Sequence, residues 1–277
     1  MATLSAKIIP AAGSHPDVKV DARRVFDVLR SGGLALVPTE VGYTLMASSA
    51  EAVQRSFAAK QRRPGHTQGV MGTLSLHRTL HILPERTLRM IQVLHEDMDL
   101  SFGVVAPFRA DHPALQHLSA ATLANATKNG TLGIYLGGSA LLRELGRIND
   151  EAGQVMLGSS ANITGTGQSF RLEDVDVQIQ DAADVIVDYG LQRYHVYGGR
   201  ASTIIDFENL KVLRVGSSYE LLRERLRKYW GVSLPPDPQF DYSEDETGEG
   251  MEKTADVAEV TEPVVEKVAE KVAVLSI

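Results

Sequence analysis

The chain has 277 residues, and its 28 basic residues against 35 acidic ones give a formal net charge of −7 at pH 7. The absence of cysteine excludes a disulfide scaffold, a thiolate nucleophile and cysteine-ligated zinc. No apolar run approaches the ~20 residues that a membrane-spanning helix needs, and the N-terminus lacks the pattern of a secretory signal. We therefore expect a cytoplasmic protein without a membrane partner.

The negative charge is concentrated near the C-terminus. Residues 233–277 carry 12 acidic and 3 basic residues, a net charge of −9, which leaves +2 for residues 1–232. The C-terminal segment also begins with three prolines and contains few large apolar side chains, so it cannot bury enough surface to offset its ordering entropy. We predict a folded, nucleotide-binding domain over 1–232 and an acidic, mostly disordered tail over 233–277.

In chain order, short apolar runs alternate with segments of helical periodicity. Apolar residues three and four apart predict helices over 18–30, 50–60, 84–95, 172–180 and 219–230. Short apolar runs predict strands at 7–9, 34–37, 132–136, 155–157, 185–187, 202–205 and 212–213. This alternation predicts a layered α/β domain in which helices cover a mixed sheet. In the last helix, Leu222, Leu226 and Trp230 are expected to dock on the sheet, although its bases and aromatic residues would also suit an RNA-facing surface.

Several common site motifs are incomplete. The sequence has no Gly-Lys-Ser/Thr of a phosphate loop, and Gly165-Thr166-Gly167 lacks the third glycine of a dinucleotide-binding fingerprint. His77 and His81 are four residues apart and could bind a metal from one helix face, but two surface histidines are far more common. We therefore assign no metal ligands.

Three segments are polar where the surrounding pattern predicts a buried core: 37–45, 60–66 and 158–165. Each has an ordinary explanation alone: Thr39 and Glu40 as a helix cap, Lys60 and Arg62 as charges at a helix end, and 160–165 as a turn. Together they provide cations, hydroxyls, a side-chain amide and a glycine-containing loop, which are suited to holding phosphate.

Four groups of residues, in order, resemble the motifs of the YrdC/Sua5 family, the threonylcarbamoyl-AMP synthases. They are Pro38-Thr39-Glu40-x-x-Tyr43, Lys60-x-Arg62, Ser160-x-Asn162 and Ser202-Thr203-Ile204-Ile205-Asp206 followed by Leu213-Arg214-x-Gly216. The resemblance covers roughly residues 18–220. It implies a twisted, open mixed sheet with covering helices, the YrdC-like (DHBP-synthase-like) fold, without the second domain of Sua5.

The resemblance also implies an activity. The family joins L-threonine, bicarbonate and ATP into threonylcarbamoyl-AMP and pyrophosphate for the modification of tRNA adenosine 37, and it is credited with binding double-stranded RNA. We therefore expect a nucleotidyltransferase that uses ATP with Mg²⁺, with RNA and tRNA-modification proteins as further partners. By resemblance, the nucleotide phosphates would be held by Lys60, Arg62, Ser160, Asn162, Ser202 and Arg214. The threonine and its carbamate would be contacted by Thr39, Tyr43 and His66, with Lys60, Arg62 and Thr39 as the catalytic set.

The departures from the family pattern leave two alternatives open. Val41 stands where the family has threonine, and the family's Pro-Gly-x-x-Thr segment is not found in residues 100–108. These changes would suit a family member that acts on another amine. They would also suit a non-catalytic nucleotide- or RNA-binding protein.

Overall fold

The computed structural model describes residues 7–10, 13–62 and 66–239. The strands are β1 (Ile8–Ile9), β2 (Leu34–Thr39), β3 (Gly42–Ala47), β4 (Gly69–Gly72), β5 (Phe102–Pro107), β6 (Thr127–Lys128), β7 (Thr131–Leu136), β8 (Met156–Ser160), β9 (Val185–Val187), β10 (Ile204–Asp206) and β11 (Lys211–Arg214). The α-helices are α1 (Val18–Arg30), α2 (Ala50–Ala59), α3 (Leu74–Leu80), α4 (Glu85–Gln92), α5 (Ala120–Ala124), α6 (Ala140–Ala152), α7 (Val177–Ala182) and α8 (Tyr219–Trp230).

The strands form one mixed sheet in the order β1-β9-β2-β3-β8-β4-β7-β5-β10-β11, and β6 pairs with β7. The pairs β1–β9, β2–β9, β4–β7 and β5–β10 are parallel, whereas the other pairs are antiparallel. The prediction of an α/β domain with a mixed sheet is therefore confirmed.

Side-chain caps define where several helices begin. Asp17, Ser49, Thr73 and Ser139 each accept a hydrogen bond from a backbone N–H in the first turn of α1, α2, α3 and α6. Such a cap stabilises a helix by about 1 kcal/mol. The spacing of apolar residues in the sequence predicted α1 correctly, but it did not predict α3 or α6.

The two faces of the sheet are covered differently. On the first face, α2, α3, α4, α7 and α8 pack around a core that includes Tyr43, Leu45 and Ile134. On the second face, α1 and α6 pack against residues such as Val37 and Met46. Because neighbouring residues of a strand point to opposite faces, Tyr43 and Thr44 belong to different layers. Beyond α6, the second face carries a cavity.

Helix α8 docks on the sheet, as expected, because Leu222 and Leu226 are fully buried. Trp230 packs at the edge of the same core. The chain then runs back along α8, where Arg223 Nε donates to Leu234 O at 3.1 Å and Asp237 forms a buried ion pair with Arg200.

The first compact unit ends at Asp237, beyond the predicted boundary at 232. The rest of the predicted acidic tail, apart from residues 238 and 239, lies outside the described residues. No helix in the described part of the chain is long and apolar enough to cross a membrane.

The expectation that His77 and His81 lie on the surface is wrong. Both are buried, because α3 packs this side against the sheet, and their Nδ1 atoms lie 2.8 Å apart. His81 Nε2 lies 3.1 Å from Leu132 O and must donate to it, so His81 Nδ1 accepts the proton of His77 Nδ1. Burial lowers the pKa of His77 to about 3 and that of His81 to about 4, and the neighbouring His81 contributes to the shift of His77.

This pair predicts acid destabilisation. Between the folded pKa values near 4 and the unfolded value near 6.5, the unfolded chain binds more protons, so the free energy of unfolding falls as the pH falls. From pH 7 to pH 5 we expect a loss of roughly 2 kcal/mol for each histidine. Urea unfolding at both pH values should show a smaller loss for His77→Leu/His81→Leu than for the wild type. Equal losses would contradict the assignment.

Candidate functional site

A cavity of about 780 Å³ lies on the second face of the sheet. Its floor comes from β8, β4, β7, β5 and β10. Four of the residues expected to bind nucleotide line it, namely Arg62, Ser160, Ser202 and Arg214. The structure therefore brings together residues that are more than 150 positions apart in sequence.

Lys60 does not line the cavity and is only 1% exposed, but it contacts Ser160, which does line it. Its Nζ donates to the backbone oxygen of Ser160 and lies 3.5 Å from Ser160 Oγ. Burial, followed by the positive charges of Arg62 and Arg214, lowers the pKa of Lys60 to about 6. The amine is therefore mostly uncharged at pH 7, and an arriving anion would favour its protonated form.

Arg62 supplies a permanent cation at the cavity wall. Its guanidinium lies 5.3 Å from the centre of the Phe57 ring, and Nη1 donates to Thr67 O at 3.1 Å. Burial and the charge of Arg214 lower its pKa to about 10, which leaves it protonated at pH 7.

Arg214 supplies the second permanent cation. Its Nε donates to Ser202 O at 2.8 Å, and Nη2 donates to Ser202 Oγ at 2.9 Å. In the described part of the chain, no carboxylate forms an ion pair with Lys60, Arg62 or Arg214. Asp206 and Glu208 also line the cavity without pairing with these bases, and such a group of unpaired bases is typical of an anion-binding site.

Asn162 lies in the loop that follows β8. Its Nδ2 donates to Ile163 O at 2.7 Å, while its buried Oδ1 has no hydrogen-bond partner among the described residues. The loop is tied to the end of α2, because Thr164 donates to Lys60 O from both its backbone N–H (3.1 Å) and its Oγ1 (3.0 Å). Asn162 does not line the cavity itself, so its contact with phosphate stays a prediction.

The structure does not bring Thr39, Tyr43 or His66 to the cavity wall. Thr39 is buried and its hydroxyl donates to Gly42 O at 2.7 Å. Tyr43 points into the opposite core, where its hydroxyl donates to Asp188 Oδ1 at 2.9 Å, and burial raises its pKa far above the usual value. His66 lines a second recess that shares Arg62 with the cavity. Their roles as substrate contacts stay predictions.

Sequence reasoning missed the role of Glu40. Its buried carboxylate accepts hydrogen bonds from Tyr135 Oη (3.0 Å), Ser139 N (3.2 Å) and Gly138 N at the start of α6. Burial, followed by the charge of Glu40, raises the pKa of Tyr135, which lines the cavity. The sequence was compatible with Glu40 as a helix cap. The helix that it contacts, α6, begins about 100 residues later, so no local pattern could identify this contact.

Gln168 was also missed, and it lines the cavity beside Gly42. Its Nε2 donates to Tyr43 O at 2.7 Å, and its buried Oε1 has no partner among the described residues. The described residues contain no group of three His, Asp or Glu side chains that could hold a metal ion.

The fold and the site define an α/β domain whose cavity is lined by basic side chains and hydroxyl groups. The family model Sua5/YciO/YrdC, described as telomere recombination, matches residues 27–216, and the chain belongs to this family. A search of curated protein sequences finds no match.

Solved structures show the same fold at low sequence identity. Sua5 of P. abyssi complexed with L-threonine has a TM-score of 0.60 at 19% identity, over 79% of this chain and 60% of that one. E. coli YciO has a TM-score of 0.53 at 20% identity, over 74% and 91%. HypF in a phosphate- and nucleotide-bound form has a TM-score of 0.54 at 17% identity, over 75% and 25%. The chain thus spans about 60% of the Sua5 chain that it matches.

The burial of Lys60 predicts a distinctive pH dependence. Its pKa is near 6 in the folded state and near 10.5 when unfolded, so the unfolded chain binds more protons between these values. The free energy of unfolding of the wild type should therefore rise from pH 7 to pH 9 by roughly 2 kcal/mol more than that of Lys60→Met. Denaturant unfolding at both pH values measures this difference, and parallel pH profiles would show that the amine is charged in the folded protein.

Proposed function

We propose that the protein is an L-threonylcarbamoyladenylate synthase, a cytoplasmic nucleotidyltransferase that forms threonylcarbamoyl-AMP and pyrophosphate from L-threonine, bicarbonate and ATP. Its product would supply the modification of tRNA adenosine 37. The observation that supports the proposal is the meeting of Arg62 and Arg214 with Ser160 and Ser202 at one cavity, with Lys60 bonded to Ser160 just outside its lining. Family membership supports a related activity.

The proposed reaction needs cations and hydroxyl groups, and the cavity contains both. The threonine amine would combine with bicarbonate, losing water, to give a carbamate whose oxygen attacks the α-phosphorus of ATP. The bond from that phosphorus to the bridging oxygen breaks and pyrophosphate leaves, so negative charge grows on the phosphate oxygens. Fixed cations and hydroxyl groups stabilise such charge, and no side chain needs to act as a covalent nucleophile.

Two neighbours agree with this interpretation. The P. abyssi Sua5 structure is described as complexed with L-threonine, and the HypF structure as phosphate- and nucleotide-bound. A cavity of about 780 Å³ is large enough for a ligand of nucleotide size, because small-molecule sites are typically ~300–1,000 Å³.

Threonine-dependent release of pyrophosphate from ATP and bicarbonate tests the proposal directly. Arg62→Ala should lower the rate by about 10²–10³, since it removes a group that stabilises the developing charge. Arg147→Ala is the matched control, because Arg147 is an exposed arginine that pairs with Glu144 and Glu151 on its own helix. The control should keep the wild-type rate. A folded wild-type protein that released no threonine-dependent pyrophosphate would rule the synthase out.

A second candidate is a synthase that acts on a different amine. Val41 lines the cavity at the position where the family has threonine, so a hydroxyl is replaced by methyl groups. A screen of amino acids and other small amines in the same assay should then give a faster rate with an amine other than threonine. Threonine as the best substrate would exclude this candidate.

RNA binding is a further proposal. Lys128 lies with Arg62 where the cavity meets the second recess, and both could contact a phosphate backbone. Association with tRNA-modification proteins is likewise proposed from the family alone.

A further inference from the structure

The chain that follows the family match returns to the wall of the cavity. The family model ends shortly before α8, and α8 is followed by a segment without regular secondary structure, 231–237, which we call the strap. Leu234 of the strap is buried in the core of the first face, and its backbone oxygen accepts from Arg223 Nε at 3.1 Å. The backbone oxygen of Pro235 accepts the hydroxyl of Tyr219. The strap is therefore fixed against α8 along its length.

The strap ends at an ion pair that is closed to solvent. The side chain of Asp237 is fully buried, and that of Arg200 is only 15% exposed. Arg200 Nη1 donates to Asp237 Oδ2, and Nη2 donates to Oδ1 at 3.2 Å. A two-point contact between a planar guanidinium and a planar carboxylate fixes orientation as well as distance. Because desolvation offsets much of the attraction between buried charges, stability alone does not account for this pair.

Arg200 directly precedes a segment that lines the cavity. Ala201 and Ser202 line it, and Ser202 accepts two hydrogen bonds from Arg214, at its backbone oxygen (2.8 Å) and at Oγ (2.9 Å). On the other side of Arg200, residues 198–199 are two glycines with positive φ, a backbone that is free to adopt other conformations. The ion pair therefore anchors the chain between a permissive glycine pair and the serine that orients a cavity base.

The residues that precede α8 hold the same segment by its backbone. Ser217 donates from its backbone N–H to Ala201 O at 2.8 Å and from its hydroxyl to Arg200 O at 3.1 Å. A Cβ at Gly216 would lie 2.3 Å from Ala201 O, so the two backbones are in direct contact. The start of α8 thus fixes the backbone of this segment, and the end of the strap fixes the side chain of Arg200.

We propose that Asp237 is a positioning residue of the cavity: by holding Arg200 it fixes Ser202, and through Ser202 it fixes the guanidinium of Arg214 where an anion binds. Asp237 also neutralises Arg200, which therefore acts by position and not as a further phosphate-binding cation. The inference deepens the proposed function, because it rests on the cavity holding the phosphates of the substrate. It gives a role in the site to a residue outside the family match.

Binding of inorganic triphosphate, measured by calorimetric titration of the full chain, tests this role without requiring turnover. Asp237→Asn keeps the shape of the side chain and removes its charge. We expect it to weaken triphosphate binding about fivefold, because Ser202 and Arg214 are no longer held in one arrangement. The direction of the change is informative, since a simple charge effect would leave Arg200 as an extra cation and strengthen binding.

Asp99→Asn is the matched control. Asp99 forms an ion pair with Arg193 in which both side chains are exposed. The substitution makes the same change of charge and should leave triphosphate affinity within about twofold of the wild type, because exposed ion pairs contribute little.

A double-mutant cycle separates positioning from a general loss of structure. In Arg214→Ala the group that Asp237 is proposed to orient is absent, so adding Asp237→Asn should change the affinity by less than about twofold. A merely structural role would give the same loss in both backgrounds. If Asp237→Asn does not fold, Asp237→Glu provides the same comparison, because it keeps the charge and displaces the carboxylate by one methylene group.

Three results would overturn the proposal: unchanged or tighter triphosphate binding in Asp237→Asn, an equal loss in the Arg214→Ala background, or no triphosphate binding by the wild type. The first two leave the synthase proposal standing if threonine-dependent pyrophosphate release is observed. Conversely, coupled losses of triphosphate binding without any such release would remove the synthase and keep the role of Asp237.

Discussion

The buried amine of Lys60 is the constraint on which the candidate site depends. Lys60 caps the C-terminal end of α2, and its Nζ reaches the last residue of β8, 100 positions away in sequence. Its backbone oxygen also accepts two hydrogen bonds from Thr164 in the loop that follows. One residue therefore joins a helix end, a strand end and a loop, and it fixes where Ser160 stands relative to Arg62.

This arrangement concentrates basic groups without neutralising them. Elsewhere, several arginines are paired with carboxylates, as Arg55 is with Asp184 and Arg200 with the buried Asp237. At the cavity, Arg62 and Arg214 donate instead to backbone carbonyls and to a serine hydroxyl, and their charges depress the pKa of Lys60. Placing unpaired basic groups together lowers the free energy of unfolding, and binding of an anionic ligand would raise it again. This loss of stability is expected of a cavity that binds phosphate.

Much of the fold and part of the site could be predicted from the sequence. The apolar periodicity is sufficient for α1, α2 and α8 and for the short buried strands. The convergence of Lys60, Arg62 and Ser160 could be predicted because the segments that carry them follow elements that end at the same sheet edge. Strands β2 and β3 are both fully buried, so neither shows the alternation of a half-exposed strand; β2 has a continuous apolar run, whereas Gly42 and Thr44 interrupt that of β3, which was missed.

Other features could not be predicted from the sequence, for different physical reasons. Spacing places Thr39 and Tyr43 near the site but does not say which way they point, and a shift of one residue along a strand reverses the face. The bonds from Glu40 to α6 join segments about 100 residues apart, which no local pattern records. The buried pair His77 and His81 lies on a helix of only seven residues, too short for periodicity to reveal its buried side.

Residues of a motif can be needed to position the backbone as well as to contact a ligand. Thr39 closes the turn between β2 and β3, Tyr43 ties β3 to Asp188 and Gly190, and Glu40 holds the start of α6. The Thr39 bond is buried and the others are partly buried, so loss of any one would leave a polar group without its partner. What the hairpin then presents to the cavity is Val41 and Thr44. The motif residues thus hold the hairpin in place, and Val41 and Thr44 are the side chains of it that line the cavity.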